Sequence, residues 1–425
     1  MLSEMDFASK IWILVLLLIL GRWITELALE WLNRRHVLAR AKVMPATLKA
    51  IVDEATYVRS VEYTLAKGRF RGFELTYSTI LLLLVLFSGV LPTGFDAYSR
   101  MFGGSIWAMA GFLFLIGVAL SMTALPLDWY AQFQLEQRFG FNTSTQKTWW
   151  TDRLKGLVLS LILGYPLLAL LLFLVNWAGK RWWLWAWGAL MVFQLLMTLL
   201  APILILPLFN KFTPLPETSL RERLFRLANR TRFRAASIQV MDGSRRSRHS
   251  NAFFTGLGGF RKIVLFDTLI QQLTEPELEA VLAHEIGHYK KRHIPKMLVF
   301  SAAGSLLGFY CLALLAQQPW FYRTFGFQPG NTAPAFLLFA LLAGVITFWF
   351  SPLAYIWSRR YEYQADRFAA EAMGQALPLI GALRKLNEKN LSNLTPHPLY
   401  SGFYYSHPTL LEREAALAAV VAGKG

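Results

Sequence analysis

The stretch Ala283-His284-Glu285-Ile286-Gly287-His288 fits the pattern His-Glu-x-x-His, and its surroundings predict that it lies on a helix. Thr274 is a good N-cap residue, and Glu277, three residues on, completes a capping box, so the helix should begin there. Pro276 falls in the first turn, where its missing N–H costs nothing. An apolar stripe at helical spacing follows, made up of Leu278, Val281, Leu282 and Ile286.

Two histidines four positions apart project from one face of a helix. The imidazoles of His284 and His288 can therefore bind a single Zn²⁺ ion, one per chain, with bonds of about 2.0–2.1 Å. Glu285 cannot share that ligand position, but it can act as a general base toward water. The alternatives are a chance match or an inert surface helix. The chain has only seven histidines and the flanks of the motif are apolar, so we predict a catalytic zinc site.

The composition is typical of a membrane protein. Of 425 residues, 55% are hydrophobic and only 16% are charged, and the mean hydropathy is +0.38, which is too apolar for an ordinary soluble protein. The net charge of +17 suggests either nucleic acid or cytoplasmic loops beside anionic lipid. Because no nucleic-acid motif is present, we expect a lipid bilayer and no nucleic acid as partner. Cys311 is the only cysteine, which excludes a disulfide framework.

Seven apolar runs are each near or above the ~20 residues that cross a bilayer. They cover residues 11–32, 74–93, 104–126, 156–178, 182–208, 297–317 and 334–357. The first run has no cleavage-site pattern after it, so it is interpreted as a retained helix rather than a signal peptide. Its charges, Arg22, Glu26 and Glu30, should face protein or water. Lys and Arg concentrate after the first, third and fifth runs, which predicts an outside N-terminus and a cytoplasmic C-terminus.

The spans divide the chain into four parts. Residues 1–208 hold spans 1–5 with their cytoplasmic loops, and residues 209–296 form a soluble catalytic insertion with the zinc helix. Residues 297–357 hold spans 6 and 7, and residues 358–425 form a C-terminal cytoplasmic part with the third zinc ligand.

Within the insertion, residues 217–233 predict a charged amphipathic helix and residues 236–241 a short strand. Residues 251–256 and 262–267 predict a hairpin around a turn at 257–259. The hairpin either binds an extended peptide by strand addition or only supports the zinc helix.

A catalytic zinc site needs a third protein ligand and an open position. We choose Glu362, on a predicted helical continuation of the seventh span. The alternative is a surface carboxylate that pairs with Arg359 or Arg360. Asp366, one turn later, can accept the outer N–H of a ligating histidine and fix its tautomer.

Several stretches together resemble the type I CAAX prenyl endopeptidases, which are integral-membrane zinc metalloproteases. These stretches are residues 33–36, 139–142, 207–212, 242–244, 249–252, 284–288, 360–366, 405–408 and 411–413. The resemblance covers nearly the whole chain. It implies an all-α polytopic membrane protein of about seven transmembrane helices around a water-filled chamber. It also implies a gluzincin-like metalloprotease domain that contains a small β-hairpin or sheet.

The resemblance implies that His284, His288 and Glu362 hold the zinc and that Glu285 activates water. The other histidines, His36, His249, His293 and His397, are interpreted as non-ligands, although His249 is close enough in sequence to Asn251 to line the cleft.

The resemblance further implies that Asn251 lies in the substrate-binding strand region and that His407 and Arg413 bind or polarise the peptide. Both can donate to an oxyanion opposite the metal. A salt bridge that holds the C-terminal tail is an equally ordinary role for Arg413.

The implied reaction is cleavage of prenylated CaaX peptides, which releases their last three residues. Residues 421–425 carry no retention signal, which favours a bacterial inner membrane over the endoplasmic reticulum, with a cytoplasmic active site. In that host the substrate would be other membrane-associated peptides, and the alternative function is a general quality-control metalloprotease for membrane proteins.

The alternative that is not an enzyme is a transporter or scaffold with a structural zinc site. We expect a monomer that binds a peptide or protein substrate, either prenylated or unmodified.

Overall fold

The computed structural model describes residues 2–49, 51–255 and 261–422, and they are mostly helical. The helices are α1 Leu2–Arg40, α2 Glu54–Phe87, α3 Val90–Phe102, α4 Ile106–Tyr130, α5 Gln146–Leu159, α6 Tyr165–Trp177, α7 Trp182–Leu200, α8 Leu206–Phe209, α9 Ser219–Arg230, α10 Asp267–Gln272, α11 Glu275–Lys290, α12 His293–Leu315, α13 Pro319–Arg323, α14 Ala333–Thr347, α15 Ser351–Met373, α16 Leu377–Lys389, α17 Pro398–Tyr404 and α18 Leu410–Ala422. The strands are β1 Phe212–Pro214, β2 Ala235–Met241, β3 Ala252–Thr255 and β4 Arg261–Phe266.

Among the described residues, seven helical segments are long and apolar enough to cross a membrane, as the sequence predicted. They are Phe7–Arg40, Glu54–Phe87, Ile106–Glu136, Gln146–Trp177, Gly179–Phe209, His293–Leu315 and Ala333–Met373. All seven are longer than the ~20 residues that a bilayer requires, so each is long enough to cross it with some tilt or to extend beyond the hydrocarbon layer.

The second span ends earlier than predicted. The apolar run continues to residue 93, but α2 ends at Phe87 and α3 begins at Val90. Between them Gly89 has a φ of +78°, in the left-handed region that glycine adopts without strain. Hydrophobicity alone did not reveal this break.

The two carboxylates of the first span are buried and Arg22 is half-buried, which is consistent with the prediction that these charges face protein or water. Glu26 and Glu30 are 3% and 7% exposed. Arg22 Nε lies 3.2 Å from Glu26 Oε2, and the hydroxyl of Tyr400 donates to Glu30 Oε1 at 2.8 Å. These partners offset the cost of removing the carboxylates from water.

The soluble part contains a four-stranded mixed sheet in the order β1-β2-β4-β3. β2 is parallel to β4, whereas β1 and β3 are antiparallel to β2 and β4 respectively. The predicted strand at 236–241 and the two arms of the predicted hairpin are confirmed. Gly256 and the predicted turn at 257–259 lie outside the described residues. The predicted helix at 217–233 is α9, and β3 forms a sheet edge beside α11.

The zinc helix α11 begins where the capping box predicts. Thr274 N donates to Glu277 Oε2 at 2.7 Å, and Pro276 lies in the first turn. Leu278, Leu282 and Ile286 are buried in one hydrophobic core with the sheet and with α15. The motif therefore sits on a helix that is fixed at its start and along its apolar face.

Helices α11 and α15 approach each other closely at Gly287. A Cβ atom added to Gly287 would lie 3.0 Å from the Cα of Ala365 and 3.1 Å from its carbonyl oxygen. Since both neighbours are backbone atoms, they cannot move aside as a side chain would. The glycine thus sets the distance between the helix that carries the two histidines and the helix that carries Glu362.

We predict that Gly287→Ala pushes these two helices apart and destabilises the protein by about 1–3 kcal/mol, the usual cost of overpacking. Purified protein in detergent should unfold at a lower temperature and hold less zinc. Gly304→Ala is the matched control, because a Cβ at that helical position meets no atom within 4 Å. Equal behaviour of the two variants would contradict the proposed role of the close approach.

Candidate metal centre

Three side chains from two helices converge at one point. His284 and His288 come from α11, and Glu362 comes from α15. The Nε2 atoms of the two histidines are 3.1 Å apart. Glu362 Oε2 lies 3.4 Å from His284 Nε2, and Glu362 Oε1 lies 3.4 Å from His288 Nε2. His284 and Glu362 are buried.

This arrangement fits a zinc ion. A tetrahedral ion with bonds of about 2.0–2.2 Å separates its ligand atoms by about 3.3–3.6 Å, close to the distances given above. Glu362 Oε2 is buried and has no hydrogen-bond partner among the described residues, which is costly unless a cation binds there. In the described part of the chain the metal-binding group has three residues, which leaves one tetrahedral position open.

Glu362 therefore joins the two histidines in the candidate metal group, at the place where the sequence predicts a third ligand. It is buried, unlike the surface carboxylate of the alternative interpretation. Arg359 instead donates to the carbonyl oxygens of Tyr405 and Gly402, at 2.6 and 3.3 Å.

Asp366 lies behind His284 and makes the contact that its predicted role requires. His284 Nδ1 is 2.9 Å from Asp366 Oδ1, and Asp366 is 1% exposed. A carboxylate can only accept here, so Nδ1 carries the proton and Nε2 is free to bind a metal.

Arg413 and His407 occupy different positions around the site. Arg413 is buried and donates to both oxygens of Asp366, from Nε at 2.8 Å and from Nη2 at 2.5 Å. Its Nη1 is 3.9 Å from Glu362 Oε2. The side chain of His407 is 62% exposed, with Nε2 3.4 Å from Glu362 Oε1. His407 therefore faces the open side of the site, whereas Arg413 lies behind it.

Glu285 is half-buried next to His284. Burial raises the pKa of the Glu285 carboxyl above its usual range. A carboxylate with a raised pKa is a stronger proton acceptor, as a general base requires.

Asn251 lies at the start of the edge strand β3. Its Oδ1 accepts from Ala252 N at 2.8 Å, and its carbonyl accepts from Phe266 N at 3.1 Å. His249 stacks on Phe141, with ring centroids 4.3 Å apart, and it lines a cavity of about 750 Å³ that also reaches His407 and Arg413. The expected position of His249 at the cleft is thus consistent with the structure.

One contact of the site was missed by the sequence analysis. His293, interpreted only as a non-ligand, lies with its Nδ1 3.1 Å from His288 Nδ1. The sequence feature that could have indicated this contact is the position of His293, five residues after His288.

Comparisons with known proteins cover almost the whole chain. Residues 33–211 match the family described as CAAX prenyl protease N-terminal, five membrane helices, and residues 214–421 match peptidase family M48. CAAX prenyl protease 1 of Saccharomyces cerevisiae is 36% identical in an alignment 405 positions long, which covers 88% of this chain and 88% of the yeast protein. The CAAX prenyl protease 1 homolog of Homo sapiens is 33% identical in an alignment 447 positions long, which covers 93% of this chain and 92% of the human protein.

A solved structure of the same family also matches this fold. The crystal structure of S. mikatae Ste24p aligns with a TM-score of 0.90 at 33% identity, over 96% of this chain and 98% of that chain. The chain therefore belongs to the CAAX prenyl protease 1 family, the M48 zinc metallopeptidases with an N-terminal domain of membrane helices.

Proposed function

We propose that this metallopeptidase cleaves prenylated CaaX-type peptides near their C-terminus, on the cytoplasmic side of its membrane. The observation that carries the proposal is the three-ligand site on α11 and α15, with Glu285 beside it and an open side toward the 750 Å³ cavity. The names of the relatives support the substrate class. The concentration of Lys and Arg after the odd-numbered early spans supports the cytoplasmic side.

His284, His288 and Glu362 would hold the metal. A Zn²⁺ ion bound there supplies a Lewis acid that polarises a carbonyl group and lowers the pKa of water. Glu285 takes the proton from the attacking water and passes it to the leaving amine. Burial raises the pKa of the Glu285 carboxyl, which makes it a stronger acceptor for the proton of the water.

The edge strand β3 provides a place for the substrate. An edge strand has unpaired N–H and C=O groups that an extended peptide can pair with. Because β3 lies beside α11, a peptide added to this edge passes close to Glu285. Asn251 immediately precedes β3, and its side-chain oxygen accepts a hydrogen bond from Ala252 N, which fixes the backbone where β3 begins.

His407 is the proposed donor to the negative charge that develops on the carbonyl oxygen. It is exposed on the open side and close to Glu362. Arg413 acts through Asp366, whose carboxylate it neutralises behind His284. Preorganised donors of this kind contribute several kcal/mol to a transition state.

We predict that Glu285→Gln lowers kcat about 10²–10⁴-fold, because the amide cannot accept the proton. Zinc content by elemental analysis should stay at one per chain, since Glu285 is not part of the ligand group. Undiminished cleavage by a zinc-loaded Glu285→Gln variant would remove Glu285 as the base.

The second prediction compares a farnesylated CaaX peptide with its unfarnesylated twin. The farnesyl group is apolar, and burial of even two CH₂ equivalents of it contributes about 1.6 kcal/mol. Wild type should therefore prefer the farnesylated peptide by tenfold or more in kcat/KM. Equal cleavage of both peptides would favour the alternative of a general quality-control protease. Glu285→Gln serves as the control for contaminating activity on both peptides.

A further inference from the structure

His293 begins α12, directly after the chain leaves the zinc helix. Arg292 lies between the two helices with a φ of +56°, a left-handed conformation that is uncommon for a residue with a side chain. This turn brings His293 back against the end of α11, where it is only 1% exposed. A buried imidazole needs hydrogen-bond partners on its nitrogens.

Both nitrogens of His293 have a partner. Nδ1 is 3.1 Å from His288 Nδ1, and Nε2 is 3.0 Å from Gln364 Oε1. The ring is also stacked on Tyr361, with centroids 4.2 Å apart and planes 13° from parallel. These contacts fix both the position and the rotation of the ring.

The position of each proton along this chain of contacts follows from which groups can donate and which can only accept. The amide oxygen of Gln364 only accepts, so His293 Nε2 carries the proton and His293 Nδ1 is an acceptor. His288 Nδ1 then donates to His293, which leaves the lone pair of His288 Nε2 free. The reverse orientation of the amide would put a proton on His288 Nε2, the atom that faces His284.

We propose that His293, held by Gln364, is a positioning residue that sets the tautomer and orientation of the zinc ligand His288. His293 accepts the Nδ1 proton of His288, as Asp366 accepts that of His284, but His293 is a neutral imidazole instead of a carboxylate. Outer partners of this kind contribute about 10–100-fold in metal affinity.

The test measures zinc affinity by competition with a chelator, in the full-length protein in detergent. His293→Phe keeps a ring to stack on Tyr361 but has no acceptor, and we expect zinc to bind about 10–100-fold more weakly. His293→Asn restores an acceptor close to the position of Nδ1 and should recover most of that loss. His36→Phe is the matched control, because its ring contacts His397 instead of the metal group.

Wild-type affinity in His293→Phe would overturn the proposal, and so would an equal loss in the Asn and Phe variants. If His293→Phe does not fold, Gln364→Leu tests the same chain of contacts from its other end. It should weaken zinc binding in the same direction, and unchanged affinity there would also overturn the proposal.

A second inference concerns the cavity of about 750 Å³ beside the metal centre. His407 and Arg413 line it at the metal end, and Lys67 and Arg71, one turn apart on α2, line another wall. Arg71 pairs with Glu74 at 2.8 Å, and Arg413 pairs with Asp366. Two of the three cations therefore already have a carboxylate.

Lys67 differs from them. Its Nζ lies over the ring of Tyr63, 4.9 Å from the centroid, and among the described residues no carboxylate oxygen is within 4.0 Å of it. The nearby carboxylate of Glu136 already accepts from the Tyr63 hydroxyl at 2.6 Å. Lys67 is exposed to the cavity and has donors available for an anion.

The size of the cavity indicates which anion fits. A sphere of 750 Å³ is about 11 Å across, and three extended residues span about 10–11 Å. A peptide with three residues beyond the cleaved bond would therefore reach across a cavity of this size, and Lys67 lines one of its walls.

We infer that Lys67 binds the C-terminal carboxylate of the substrate and so selects peptides cleaved three residues from their end. This inference rests on the proposed CaaX function. It gives the released tripeptide a defined site and makes the free C-terminus a recognition element.

The test uses two peptides that differ only in a C-terminal carboxylate or carboxamide. Wild type should prefer the carboxylate by about 10–100-fold in kcat/KM, the usual contribution of a hydrogen bond to a charged group. Lys67→Met should lose that preference by slowing only the carboxylate peptide, and Lys67→Arg should keep most of it. Arg69→Met is the matched control, because Arg69 lies on the same helix but lines a different groove.

Equal slowing of both peptides by Lys67→Met would show a structural role and overturn the inference, as would a preference that the variant retains. If wild type cleaves both peptides at the same rate, the carboxylate site is wrong while the protease function stands. If wild type cleaves neither, the proposed CaaX function fails, and this inference fails with it.

Discussion

The whole site depends on one steric constraint, the approach of α11 and α15 at Gly287 and Ala365. Backbone meets backbone there with no room for a Cβ, so the separation of the two helices is fixed by atoms that cannot yield. The two histidines and Glu362 project from these helices on the same side of the contact. The capping box at Thr274 and the buried stripe through Ile286 then prevent α11 from sliding or rotating relative to α15.

The site also depends on how its buried charges are paired. Four ionisable groups at the site are buried or half-buried: Glu285, Glu362, Asp366 and Arg413. Burial of so many charges is costly unless each has a partner. Arg413 neutralises Asp366, and Asp366 polarises His284. Glu362 Oε2 is buried and has no hydrogen-bond partner among the residues that the structure describes, which is consistent with a cation bound at this point.

Much of this could be read from the sequence because its signals are local. The zinc helix, its cap, the seven spans and the hairpin arms follow from periodicity and turn chemistry, and Glu362 follows from the need for a third ligand. The misses have physical causes. β1 is three residues long and has no period to detect, and the break at Gly89 lies inside a continuous apolar run. Gln364 meets His293 across 71 residues of sequence, a contact that only the fold creates.

The course of the chain between the ligands has a consequence for how the enzyme is made. His288 and Glu362 are separated by the span His293–Leu315, and Glu362 lies on the continuous segment Ala333–Met373. Because Glu362 follows the first of these segments and lies within the second, the three ligands are all present only once the chain has been made through residue 362. Metal loading is thus a late event in biogenesis, and a chain released from the ribosome or insertion machinery too early carries two histidines but no peptidase.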